Sequence, residues 1–154
     1  MQIGALGDIH GEFETVHLIM TRHADVPLWV CVGDVASNDG EYFTPIAPMY
    51  FIKGNNEDFD VLADAMAGHP PAPTLHYLPN GGPHLVGPWR VAALGGTFAP
   101  SWYNTPAVGA AAVEGPQGDG GSLKLGKSRD DKRRHFVRDE VLAVQGAAEA
   151  SICS

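Results

Sequence analysis

The chain has 154 residues and a formal net charge of −8. Its 44% hydrophobic and 18% charged residues are typical of one globular domain and exclude a disordered or fibrous chain. Its two cysteines, Cys31 and Cys153, provide neither a disulfide framework nor a thiolate zinc site. No apolar run approaches the roughly 20 residues of a membrane span, and no leader precedes the first apolar run. We therefore expect a cytoplasmic protein with no membrane partner.

The charges are unevenly distributed along the chain. Residues 1–69 carry eleven acidic side chains and two basic ones, so this half is the expected location of metal ions. Seven of the ten basic residues lie between Lys124 and Arg138, where they form either a solvated helix face or a contact for phosphate. The net charge argues against broad nonspecific binding to nucleic acid, although a nucleic-acid substrate stays open.

The first half repeats the order strand, polar turn, helix. Apolar runs at 1–6, 28–32 and 49–52 predict buried strands. Helical spacing follows at 12–22 and again from Phe59 to Met66, where Glu57 and Asp58 are predicted to be acidic residues of the first turn. This alternation predicts an α/β fold with a mainly parallel sheet, whose site lies beyond the carboxyl ends of its strands.

The second half has a different pattern. Short runs at 75–78, 84–86 and 90–94, separated by glycine and proline, predict antiparallel hairpin strands. A Gly-rich loop is predicted at about 106–128. Ser128, followed by Asp130 and Asp131, predicts a capped helix start, with helix continuing to about Ala150. We expect one domain over residues 1–154.

Polar side chains follow three of the predicted strands. They lie in G-D-I-H-G at 7–11, in G-D at 33–34 and in G-N-N-E at 54–57. Because these turns open on one sheet edge, Asp8 and His10 can share a cation, Asp34 can bridge two ions, and the amide of Asn55 can bind the second. Mixed oxygen and nitrogen donors suit Mn, Fe or Zn. The same residues are also suited to capping helices and turns.

The ordered series G-D-I-H-G, G-D-V and G-N-N-E resembles the calcineurin-like metallophosphoesterases over roughly residues 1–105. Residues 50–58 and 94–100 look most like the branch that includes the RNA lariat debranching enzymes. The resemblance implies a layered α/β/β/α sandwich with mixed sheets. It also implies two divalent ions (Mn, Fe, Zn or Mg), with Asp8 and His10 on one, Asp34 bridging and Asn55 on the second. Such ions activate water for attack on a phosphate ester.

The chain departs from the family pattern at two points. Asn56 stands where the family has a catalytic histidine, and an amide cannot donate a proton as an imidazolium can. The later histidine ligands of the family have no counterpart, and His76, His84 and His135 lack metal-ligand spacing, so structural or solvated roles are predicted for them. We expect a partial domain, incomplete at the C-terminus, whose missing ligands come from another segment or subunit or are absent.

The main functional prediction is a metal-dependent hydrolase of phosphate mono- or diesters, with Asp34 and Asn56 at the catalytic positions. The alternative is a truncated, non-catalytic or barely active metal-binding module of the same fold. A third interpretation is a nucleotide-binding P-loop at residues 121–128, G-S-L-K-L-G-K-S, although the Gly-rich residues before it do not form the required strand. The substrate, the native metal and the oligomeric state stay open.

Overall fold

The computed structural model describes residues 2–107 and 131–152, with side chains of the last helix described to residue 149. Its main feature is a four-stranded parallel sheet in the order β1-β2-β3-β4. The strands are β1 (Gly4–Leu6), β2 (Trp29–Cys31), β3 (Met49–Phe51) and β4 (Leu75–Tyr77). Helix α1 (Phe13–Arg22) connects β1 to β2, and α2 (Phe59–Met66) connects β3 to β4. The carboxyl ends of all four strands therefore lie at one edge of the sheet.

The core lies on one face of this sheet. Trp29, Met49 and Leu75 are in register across β2, β3 and β4, and all three are buried. Val16 and Met20 of α1 and Phe59 and Leu62 of α2 belong to the same hydrophobic cluster. Both helices therefore pack against this face. Burial of this apolar surface determines the register, because a shift by one residue would turn each side chain to the other face.

A second sheet is a two-stranded antiparallel hairpin of β5 (Gly81–Val86) and β6 (Trp89–Ala93). The two-residue turn between them is Gly87-Pro88, and Gly87 has a φ of 59°, which favours glycine. Helix α3 (Pro100–Tyr103) and a 3₁₀ turn (Lys132–Arg134) follow, and α4 (Arg138–Ile152) packs against the hairpin. Within 2–107 and 131–152, none of the helices combines the length and apolar character that crossing a membrane requires.

The structure confirms the mixed α/β class, the parallel sheet and the β5–β6 hairpin. Residues 75–78 were predicted to be a hairpin strand, but β4 pairs in parallel with β3 because Leu75 fills the core beside Met49. Among the named strands, β1 to β4 pair in parallel and β5 pairs antiparallel with β6, so the described residues form a parallel sheet and an antiparallel hairpin rather than the predicted mixed sheets.

The C-terminal helix begins later than predicted. Residues 135–137 are not helical, and Asp131 caps the 3₁₀ turn by accepting a hydrogen bond from the Arg133 N–H at 2.9 Å. The side chain of Arg133 also forms ion pairs with Asp131 and Asp60, so its guanidinium is already paired with carboxylates of the protein. Ser128, Asp130, the P-loop-like residues 121–128 and most of the predicted Gly-rich loop lie outside the described residues.

A partly buried ion pair connects α4 to the end of β3. The Lys53 ammonium lies 3.4 Å from a carboxylate oxygen of Glu140 and donates a hydrogen bond to the His135 carbonyl at 3.1 Å. The other Glu140 oxygen accepts from the Val137 N–H at 2.9 Å, as in a capping box. Lys53 is only 7% exposed, and burial lowers its pKa while Glu140 opposes that shift.

We expect Lys53→Met to lower the free energy of unfolding by about 3 kcal/mol, because it leaves Glu140 charged and without its cation. The double variant Lys53→Met/Glu140→Gln removes both charges and keeps an acceptor for Val137, so at least half of the loss should be recovered. Urea denaturation measures both values. Arg138→Met, which removes an exposed cation from the same helix, is the control, and a double variant no more stable than Lys53→Met would contradict this account.

Candidate metal centre

The turns that follow β1 and β2 are joined by their backbones. The Asp8 N–H donates to the Gly33 carbonyl at 3.2 Å, and the His10 N–H donates to the Asp34 carbonyl at 2.7 Å. These bonds continue the parallel pairing of the two strands beyond their carboxyl ends. The topology thus brings residues 8–10 beside Asp34, although 24 or more positions separate them in the chain.

Asp8, His10 and Asp34 form one group of three ligand side chains. Each offers one ligand atom, and these atoms all lie within 4.8 Å of one another. The His10 Nε2 atom is 3.8 Å from an Asp34 carboxylate oxygen. Ligand atoms bound to one ion at about 2.1 Å lie at most about 4.2 Å apart, so small rotations of the exposed Asp8 and His10 close the set. Two carboxylates and an imidazole therefore fit a divalent ion.

The same three residues have a left-handed backbone. Their φ angles are 52° at Asp8, 47° at His10 and 55° at Asp34, and no other non-glycine residue among those described has a positive φ. Such conformations cost on the order of 1 kcal/mol or more each, and they concentrate at functional sites. The coincidence of all three with the ligand group distinguishes this cluster from ordinary exposed carboxylates.

The turn after β3 contacts two members of the ligand group, Asp34 and His10. Gly54 lies so close to Asp34 that a Cβ atom would overlap the Asp34 carboxylate, so only glycine fits there. The Asn56 N–H donates to Asp34 Oδ1 at 2.7 Å, and its side-chain nitrogen lies 3.2 Å from His10 Nδ1. Asn55, the predicted ligand of a second ion, precedes Asn56 in this turn and is half-buried.

Glu57 is a structural residue of this site, and the prediction that Glu57 and Asp58 belong to the first turn of α2 is wrong. It lies before α2, whose N-cap is Asp58, rather than in the first helical turn. Its carboxylate is 1% exposed and accepts hydrogen bonds from the N–H groups of Val35, Ala36 and Gly54 at 3.0, 3.3 and 3.4 Å. The Tyr42 hydroxyl donates a fourth bond at 2.9 Å. Burial raises the pKa of Glu57, and these donors oppose the shift.

The three histidines considered as substitute ligands have other contacts. The His76 ring packs on Tyr50 with centroids 4.9 Å apart. His84 Nε2 lies 2.8 Å from the Pro79 carbonyl, and His135 Nδ1 lies 2.9 Å from the Thr97 hydroxyl. In the described part of the chain, none of them joins the Asp8, His10 and Asp34 group.

Comparison with known proteins does not assign the chain to a family. No protein-family model, curated protein or solved structure matches the chain. The function of the site therefore has to be inferred from its own residues.

Replacing Asp8 by glycine should remove the steric cost of the left-handed backbone at this position, whereas replacing it by alanine retains that cost. We expect Asp8→Gly to have a free energy of unfolding about 1 kcal/mol higher than Asp8→Ala in urea denaturation without metal. Both variants lack the carboxylate, so their difference isolates the backbone. The same pair at the exposed Asp25, which has no positive φ, is the control. Equal stability of the two position-8 variants would show that this backbone is not strained.

Glu57→Gln should destabilise the folded protein by about 2 kcal/mol, because an amide NH₂ then faces backbone N–H donors. Tyr42→Phe removes one of the four donors and should cost about 1 kcal/mol. Thermal and urea unfolding of the metal-free variants give both values. Glu41→Gln, at an exposed neighbouring carboxylate, is the matched control. A Glu57→Gln protein as stable as the wild type would rule out this role for the carboxylate.

Proposed function

We propose that this chain is a metal-dependent hydrolase of phosphate esters of the calcineurin-like metallophosphoesterase type. The observation that carries the proposal is the convergence of Asp8, His10 and Asp34, each with a left-handed backbone, at the carboxyl edge of a parallel sheet. The proposal includes the layered sandwich, in which the parallel sheet and the β5–β6 hairpin belong to facing layers.

Asp8 and His10 hold one ion in this proposal, and Asp34 is shared with a second ion bound by Asn55. The contacts of Asp34 support this division. Its Oδ1 atom is held by the Asn56 N–H at 2.7 Å, while its Oδ2 atom faces His10 Nε2 at 3.8 Å. One carboxylate oxygen is therefore fixed by the protein and the other is free for ions.

The reaction proposed is hydrolysis of a phosphate ester by water. Divalent ions in such a site lower the pKa of water and neutralise charge on the phosphoryl oxygens. Asp8 and His10 are exposed, so a substrate phosphate has access from solvent, while the buried Asp34 forms the floor of the site. Asn56 cannot supply a proton to the leaving group, so esters of acidic alcohols such as phenols should react fastest.

A metal-binding module without catalysis is the second candidate function. The observation that favours it is the number of ligands: the described residues contain one group of three histidine or carboxylate ligands, which is enough for one ion. Asn56 in the position of a family histidine points the same way. This candidate predicts one loosely held ion and no hydrolysis that depends on Asp34.

Metal stoichiometry and hydrolysis distinguish the two candidates. After manganese loading and desalting, we expect two ions per wild-type chain by elemental analysis, and hydrolysis of bis-p-nitrophenyl phosphate or p-nitrophenyl phosphate. Asp34→Ala should lose the ions and reduce kcat/KM by at least about 100-fold, because it removes the shared carboxylate.

Asp25→Ala is the matched control, since this exposed carboxylate precedes β2 and thus lies at the opposite edge of the sheet. It should keep wild-type metal content and activity. Equal residual activity in wild type and Asp34→Ala would refute the hydrolase proposal, and one ion per chain would then favour the binding module.

A further inference from the structure

Asn56 contacts two members of the ligand group with two different parts of the residue. Its backbone N–H donates to Asp34 Oδ1 at 2.7 Å, and its side-chain nitrogen lies 3.2 Å from His10 Nδ1. The same side-chain nitrogen is 3.5 Å from the Ala36 carbonyl, at the limit of a hydrogen bond. The His10 ring therefore has one nitrogen against Asn56 and the other, Nε2, towards Asp34.

The contact at Nδ1 has a chemical consequence for Nε2. A neutral imidazole carries one N–H and one lone pair, and the hydrogen bond at one nitrogen determines which form the other takes. An ion binds only to a lone pair, so binding at Nε2 requires the proton to be on Nδ1. Histidine ligands generally donate that second N–H to an oxygen acceptor.

The amide of Asn56 provides such an acceptor when it rotates by half a turn. In the structure the NH₂ of the amide faces Nδ1, and this orientation suits an imidazole that carries its proton on Nε2. With its oxygen towards Nδ1, it matches the ring whose Nε2 is free for an ion. The rotation gives up the weak 3.5 Å contact with the Ala36 carbonyl and leaves the amide oxygen facing that carbonyl at a similar distance, without a hydrogen bond.

We propose that Asn56 is the positioning residue of His10, holding the ring by Nδ1 so that Nε2 is available as the metal ligand beside Asp34. This inference rests on the proposed metal centre and assigns Asn56 a role that needs no proton transfer. It also explains how an amide serves at this position, because an amide can present either a donor or an acceptor to the ring.

The test uses three variants of the full chain. Asn56→Leu and Asn56→Ala remove the side-chain contact, and Asn56→Asp keeps an acceptor for Nδ1–H. All three retain the backbone N–H that donates to Asp34, so the side chain is tested alone. Affinity for Mn²⁺ is measured from the electron paramagnetic resonance signal of the free ion, and thermal unfolding of the metal-free proteins checks their fold.

We expect Asn56→Leu and Asn56→Ala to bind Mn²⁺ about 10- to 100-fold more weakly than the wild type. Asn56→Asp should bind at least as tightly as the wild type. Because its added charge also attracts a cation, a spectroscopic signature is needed. In ¹⁵N-histidine spectra of the Zn²⁺-loaded wild type and Asn56→Asp, the His10 proton should be on Nδ1, with the signal assigned by His10→Gln.

Wild-type Mn²⁺ affinity in folded Asn56→Leu and Asn56→Ala would overturn this inference while leaving the metal centre intact. A His10 ring that carries its proton on Nε2 in the Zn²⁺-loaded wild type would also overturn it. A wild type that binds neither Mn²⁺ nor Zn²⁺ would overturn the metal centre together with the inference. Hydrolysis is not used as a readout, so the failure of catalysis and the failure of positioning are distinguishable.

Discussion

The carboxylate of Glu57 accepts hydrogen bonds from backbone N–H groups of two different turns. Val35 and Ala36 follow Asp34, and Gly54 precedes Asn55, so one side chain holds both turns in place. The N–H groups of Val35 and Ala36 would otherwise be buried without acceptors, which costs about 1–3 kcal/mol for each group. A residue outside the ligand group thereby determines where the ligand-bearing turns lie, and the rest of the site depends on it.

The turn after β3 is also held from its other side. The Lys53 carbonyl accepts a hydrogen bond from the Gly96 N–H at 2.8 Å, and the Lys53 ammonium reaches Glu140 of α4. Gly96, which follows the hairpin, and Glu140 of the last helix thus both support the turn that carries Asn55 and Asn56. Left-handed conformations of non-glycine residues persist only where surrounding contacts hold them, and Asp8, His10 and Asp34 adopt them beside this supported turn.

An amide at position 56 gives the site different hydrogen-bonding and proton-transfer properties from those of an imidazole at the same position. An amide donates and accepts hydrogen bonds without gaining or losing a proton, so it orients neighbouring groups but cannot protonate a leaving group. The proposed chemistry therefore relies on bound ions and on an intrinsically good leaving group. The contact with His10 and the expected preference for acidic leaving groups both follow from an amide side chain at position 56.

Several features of the fold and site follow from local sequence patterns. Alternating apolar runs and helical spacing predict the parallel sheet with α1 and α2, and parallel strands end at one edge, so Asp8, His10 and Asp34 could be grouped in advance. Turn residues such as Gly87 likewise predict the hairpin. These patterns are readable because each depends on residues within a few positions of one another.

The remaining features depend on residues that are distant in the chain. Strand β4 pairs with β3 because Leu75 packs beside Met49 in the core. The role of Glu57 depends on backbone N–H donors that lie 21 and 22 positions away in the chain. The contact of Asn56 with His10 likewise spans 46 positions. The sequence alone therefore determined which residues reach the sheet edge. Tertiary structure decided which of them touch, because burial and hydrogen-bond partners are set only when distant segments pack together.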